Sequence, residues 1–169
     1  PFGAQEIEGI HNRGQYDLTR HQEFAGRDFQ YFNQQTREKF VSAIVETSVG
    51  ADRTLPAVLC DAFEIDEIGE NDTRYVMRFS PVTAPIQIAI LPLSKKFAEP
   101  TQKVEKDLRK NFRTQFDMTG SIGKLYRRQD EIGTPFCVTF DFDSLEDEKV
   151  TVRNRDTMEQ ERIAIDQLQ

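Results

Sequence analysis

The octapeptide Glu46-Thr47-Ser48-Val49-Gly50-Ala51-Asp52-Arg53 gathers residue types that handle an anion and a cation side by side. A β-like run over residues 40–45 leads into it, and a helical pattern over residues 55–63 follows. A helix start offers free backbone N–H groups and the positive end of its dipole, and Arg53 adds a full charge, so both favour phosphate. Glu46, before the turn, is placed to hold a cation next to that phosphate. A pocket for an ammonium and a polyphosphate together suggests an enzyme that activates an amino acid with ATP. The same spacing also suits an ion pair at the helix start that only holds the turn.

The elements that must position these residues read as follows. Residues 4–10 alternate as a strand, with Glu6 and Glu8 on one face and Ile7 opposite. Two carboxylates on one strand face need water, a metal or a cationic ligand, and a solvated edge strand is the rival reading. Residues 11–31 are polar and irregular and carry no strong element. His11 and His21, ten apart without cysteine neighbours, do not suit zinc and read as surface or hydrogen-bonding residues. Pro56 is placed in the first turn of the helix after Arg53, where its missing N–H does no harm. The acidic stretch 64–74, with a Gly and no apolar period, reads as an exposed loop.

Beyond a Pro-punctuated stretch at 81–85, residues 86–91 form the apolar run of a parallel strand covered on both faces. Pro100 opens a helix whose stripe is Val104, Leu108, Phe112 and Phe116. A second helix over 122–131 stops at Gly133 as its C-cap. Residues 136–142 alternate as a strand, residues 149–154 and 158–163 form a hairpin, and a short helix begins near Asp166. From about residue 80 onward this is a mixed α/β domain.

The 169 residues suffice for one ordinary domain or two small ones, and 37% hydrophobic content with 13 Phe supports a real core. A net charge of −7 argues against bulk capture of nucleic acid, DNA included, but leaves room for a local basic face. Cys60 and Cys137, each flanked by apolar residues, read as buried, reduced thiols of a reducing cytosol, with a disulfide or metal pair as the alternative. No apolar run approaches the roughly 20 residues that span a bilayer, and no signal peptide is evident, so neither membrane nor secretion is expected. The first residue is Pro, and the chain reads as cut from a longer protein.

With these pieces in order, the chain resembles the C-terminal part of bacterial-type, homodimeric class II glycyl-tRNA synthetases. The likeness runs through Phe2-Gly3, Gln5 to Ile10, Asn12-Arg13, Tyr16-Asp17-Leu18 and His21-Gln22. It continues through Val45 to Arg53, Leu59 to Ala62, Pro81, Ala84-Pro85, Gly120 to Lys124, Tyr126 to Cys137 and Arg155 to Gln160. It implies the end of an antiparallel-sheet catalytic domain over residues 1–79 and an α/β anticodon-binding domain over residues 80–169.

Residues 46–53 are similar to motif 3 of class II synthetases. By that likeness Gly50, Ala51, Asp52 and Arg53, with Glu6 and Ile7 on the neighbouring strand, meet ATP, and Glu6 also offers a Mg²⁺ contact. Glu46, Thr47, Ser48, Val49 and Gly50 meet glycine, with Glu46 and Ser48 reading its ammonium and helping to exclude larger side chains, and Thr47 standing where the family usually has Pro. The implied reaction is formation of glycyl-adenylate, then transfer to the 3′ end of tRNA(Gly), in the cytoplasm, by a homodimer. Lys103, Lys106, Arg109, Lys110, Lys124, Arg127 and Arg128 are the implied tRNA contacts. The chain alone is expected to be inactive, since motifs 1 and 2 are not in it. A non-catalytic, synthetase-like RNA-binding module is the alternative.

Overall fold

Twenty-nine residues of sequence separate the two strands that carry the candidate site, and their pairing defines the first part of the fold. The computed structural model describes residues 3–70 and 72–168; Phe2, part of the resemblance, and Asn71, within the expected loop, lie outside them. The chain divides into two compact units, Pro1–Val58 and Leu59–Gln169.

In the first unit, β1 (Glu8–Gly14) runs antiparallel to β4 (Ile44–Val49), from Glu8↔Val49 to Gly14↔Ile44. The strand expected over 4–10 therefore starts later, at Glu8. The reason is its partner: β4 stops at Val49, where Gly50 turns into α2 (Ala51–Ala62), so nothing extends the ladder to Glu6. The strand expected over 40–45 is likewise displaced, with only the pair β2 (Tyr31–Phe32) and β3 (Lys39–Phe40) before it.

Residues 11–31, expected to lack an element, contain α1 (Tyr16–Ala25), closed by Gly26 at φ 59. The helix buries no residue, so it shows no apolar stripe in the sequence. α2 begins four residues before the expected start. Pro56 is thus its sixth residue rather than a first-turn one, and the Asp52 carbonyl lacks the N–H that would normally donate to it.

The second unit contains a two-stranded ribbon. Residues 64–74 are not a loop but most of the antiparallel hairpin β5 (Phe63–Gly69) and β6 (Asp72–Met77). Its charges pair across the strands, Asp66 opposite Arg74, which explains a strand ribbon with a loop-like composition.

The main sheet has the order β11-β10-β9-β7-β8. β7 (Ile88–Pro92) is buried along its whole length and pairs in parallel with β8 (Thr114–Phe116) and β9 (Phe136–Phe140). β10 (Lys149–Asn154) and β11 (Gln160–Ala164) complete it as an antiparallel hairpin. Alternate residues of β7 enter two cores. Ile88 and Ile90 join Val104 and Leu108 of α3 (Ala98–Leu108), with Val138, Phe140 and Val150. Ala89 and Leu91 join Cys137 and Leu125 of α4 (Ile122–Ile132), which Gly133 caps at φ 84.

The stripe read through Phe116 overruns the first of these helices. α3 ends at Leu108, Phe112 packs on the core beyond it, and Phe116 belongs to β8. A short helix, α5 (Ser144–Asp147), and a 3-10 turn at Ile165–Gln167 finish the unit. Both cysteines are free; Cys137 is buried, but Cys60 is exposed on α2, where its apolar neighbours suggested burial.

Candidate nucleotide and amino-acid site

Strand alternation on β4 puts Ile44, Glu46 and Ser48 on one face and Val45, Thr47 and Val49 on the other. The expected glycine-binding set is thereby split: Glu46 and Ser48 are brought together, while Thr47 and Val49 point away. The register sets His11 opposite Glu46 and Gly9 opposite Ser48, so these four share the face.

The expected nucleotide set converges through the backbone. Arg53 Nη1 donates to the Glu6 carbonyl at 2.7 Å, and the Gly50 N–H donates to the Ile7 carbonyl at 3.3 Å. The Gly50 carbonyl in turn accepts from the N–H groups of Arg53 and Thr54, so it closes the first turn of α2. Ala51 and Asp52 lie in that turn, both exposed. Glu6 itself precedes the strand and its carboxylate enters no ion pair among the described residues. The same set contains no group of three His, Cys, Asp or Glu side chains placed to hold a metal.

Two site residues carried no role in the sequence reading. Arg13 donates to Asp17 through Nε at 2.8 Å and Nη2 at 3.0 Å, and its Nη1 lies 3.9 Å from Glu46 Oε1. The bonds from Arg13 hold the Asp17 carboxyl below the usual carboxylate range. A fixed cation thus stands beside Glu46. Arg13 lies near the end of β1 and Asp17 in the first turn of α1, so no single-element spacing signalled the pair.

The basic side chains of the second unit fall into two groups. Arg109 pairs with Glu105, Lys110 with Asp107, Arg127 with Asp72 and the Thr73 carbonyl, and Arg128 with Asp117. Lys103, Lys106 and Lys124 form no ion pair among the described residues. Lys124, Arg127 and Arg128 line a shallow cavity of about 300 Å³ with Gly123 and Glu131.

Behind that surface lies a web of buried charge. Asp130, 1% exposed, accepts from Arg153 at 2.8 and 3.0 Å and from Arg74 at 3.2 Å. Arg155 Nη1 donates to the carbonyls of Met77, Phe79 and Gly133 at 2.9–3.0 Å. Asp66 accepts from Arg74 and Arg78, and these bonds, Arg74's first, hold its carboxyl below the usual range.

The family described as an anticodon binding domain matches residues 87–169. Glycine–tRNA ligase of Clostridium beijerinckii is 54% identical over all of this chain, which covers 36% of that protein. Those of Bacillus cereus and Agathobacter rectalis are each 55% identical over 99% of it, covering 36% and 37% of theirs. The chain therefore spans little more than a third of the length of the curated relatives it matches. The crystal structure of the RNA binding domain of threonyl-tRNA synthetase from Cryptosporidium parvum is similar in fold, with a TM-score of 0.60 and 23% identity. It aligns with 82% of this chain and 33% of that one.

Proposed function

We propose, from the premise that the chain belongs by sequence to the glycine–tRNA ligase family, that it is the C-terminal part of an enzyme joining glycine to tRNA(Gly) with ATP. Its first functional part, to residue 79, closes the site for ATP and glycine; its second, from residue 80, reads the anticodon. The geometry that carries the catalytic half is the convergence of Arg53 and Gly50 on the backbone of Glu6 and Ile7, which joins two distant segments of the nucleotide site. The match to an anticodon binding domain over 87–169 supports the other half. The division at 79/80 is functional rather than one of packing, since the hairpin β5–β6 is compact with the later unit.

In the first step a glycine carboxylate oxygen attacks the α-phosphorus of ATP and pyrophosphate leaves. Arg53 and the amides at the start of α2 bind phosphate or adenine, and Glu46 with Ser48 binds the ammonium. Mg²⁺ would neutralise phosphate charge; a lone carboxylate, Glu6, fits an ion held chiefly by phosphate oxygens. In the second step a 3′-terminal ribose hydroxyl of the tRNA attacks the adenylate carbonyl and AMP leaves. Unpaired anticodon bases suit edge reading and stacking, and Lys103, Lys106 and Lys124 have charge to spare for phosphate. Arg109, Lys110, Arg127 and Arg128 would first have to leave their carboxylates. The enzyme is a cytoplasmic homodimer on this reading; no helix among the described residues is long and apolar enough to cross a membrane.

The test is ATP–pyrophosphate exchange by the full-length protein. Exchange that requires glycine, abolished in Arg53→Ala and Glu46→Ala, is the expected result; the chain alone should give none. Absence of glycine-dependent exchange in the full-length protein overturns the reading.

A further inference from the structure

Gly9 is a glycine whose backbone does not require one. Its φ lies outside the left-handed region that marks Gly3, Gly14 and Gly26, so an L-residue would fit the dihedrals there. What a side chain there would meet is the His11 ring. A Cβ on Gly9 would collide with Nε2, with Cε1 at 2.9 Å and Cδ2 at 3.3 Å. The imidazole therefore lies folded back over the Gly9 Cα, two residues along the same strand face.

That face is the one bearing the proposed amino-acid ligands. His11 stands opposite Glu46 and Gly9 opposite Ser48, and directly opposed side chains on one face of a ribbon are neighbours. An amino acid whose ammonium sits at Glu46 and Ser48 is therefore held beside the imidazole. The ring thus lies over Gly9, the residue whose strand partner is Ser48.

We propose that His11 is a specificity-determining residue of the amino-acid site, a wall seated on Gly9 that leaves room for glycine and not for a substrate bearing a Cβ. The inference rests on the reading of the site given above. It has a chemical rationale: glycine offers no side chain to bind, so discrimination against alanine must come from excluding one methyl group. An aromatic ring lying over backbone is suited to that task. Glycine at position 9 is then explained by the ring it accommodates.

The test compares kcat/KM for glycine and for alanine in ATP–pyrophosphate exchange by the full-length protein. His11→Ala should lower the glycine-over-alanine ratio by about tenfold or more, the scale a single methyl contact sets. Gly9→Ala, by pushing the ring from its seat, should lower it similarly, and the double variant should be no worse than either alone. His11→Gln, which restores bulk, should recover part of the ratio, and it carries the comparison should His11→Ala not fold. An unchanged ratio in variants that still exchange with glycine overturns the proposal, as does full additivity of the two substitutions. A full-length protein with no glycine-dependent exchange overturns the underlying reading instead, and the proposal with it.

Discussion

The two compact units are held together differently. In the first, no described residue up to Val58 is buried, and Ile10, Tyr16, Phe24, Val45 and Leu55 are all exposed. In the second, β7 buries both faces and a charge web is buried behind α4. Apolar area removed from water is the main source of folding free energy, so the units differ in their capacity to stand alone. The proposed chemistry sits on the unit with no buried residue among those described, and the proposed RNA reader on the unit with a buried core. An active site assembled from distant segments needs those segments to hold its shape; a recognition domain does not.

The largest effect that would break this comparison is folding itself. Residues 59–169, made alone, should melt in one cooperative transition, while residues 1–58 should show none by circular dichroism. A cooperative melt of the shorter piece would refute the contrast. Next comes the buried web. Asp130→Ala leaves Arg74 and Arg153 buried without their shared carboxylate and should cost about 3–5 kcal/mol in urea unfolding. Glu46→Ala, beside an exposed Arg13, should cost under about 1 kcal/mol.

Packing gives a third comparison. Leu91→Ala, at a fully buried position, should cost about 2–5 kcal/mol, and Val45→Ala within about 0.5 kcal/mol. Acid sharpens it further. Asp66 and Asp156 have their carboxyls lowered by bonds from Arg74 and Arg155 respectively, so the stability they supply is present above the unfolded value of about 3.9. It is lost as pH falls through their lower folded values. Urea midpoints of residues 59–169 should hold from pH 7 to about 5 and drop below about 4, less steeply in Asp66→Asn. The smallest effect concerns RNA: Lys124→Ala should weaken tRNA binding a few-fold and reduce its salt slope by about 0.7–0.9. Arg127→Ala should act mainly on stability, because its guanidinium is spent on Asp72.

Where burial was strong, the elements were legible. β7, β9, α4 and the closing hairpin each advertise an apolar run, an alternation or a Gly cap that the fold then uses. Where polar contacts hold the chain, the pattern misled. α1 has no inward stripe to display, and β5–β6 is tied by Asp66 and Arg74 rather than by hydrophobic alternation. For the proposed site, residue types in 46–53 suggested a chemistry, but not which of them share a face. Thr47 and Val49 turn away because a strand has period two. The role proposed for His11 depends on cross-strand register, which the sequence between the strands does not encode locally.

The unlike fates of the two thiols have a practical consequence. Burial pushes Cys137 up to about 12, so it stays protonated inside the α4 core, while Cys60 faces solvent. A maleimide should modify Cys60 on mixing and wait for the sheet to open before reaching Cys137. The delay between the two adducts in a mass spectrum is a built-in stopwatch, timing the breathing of the core with no label introduced.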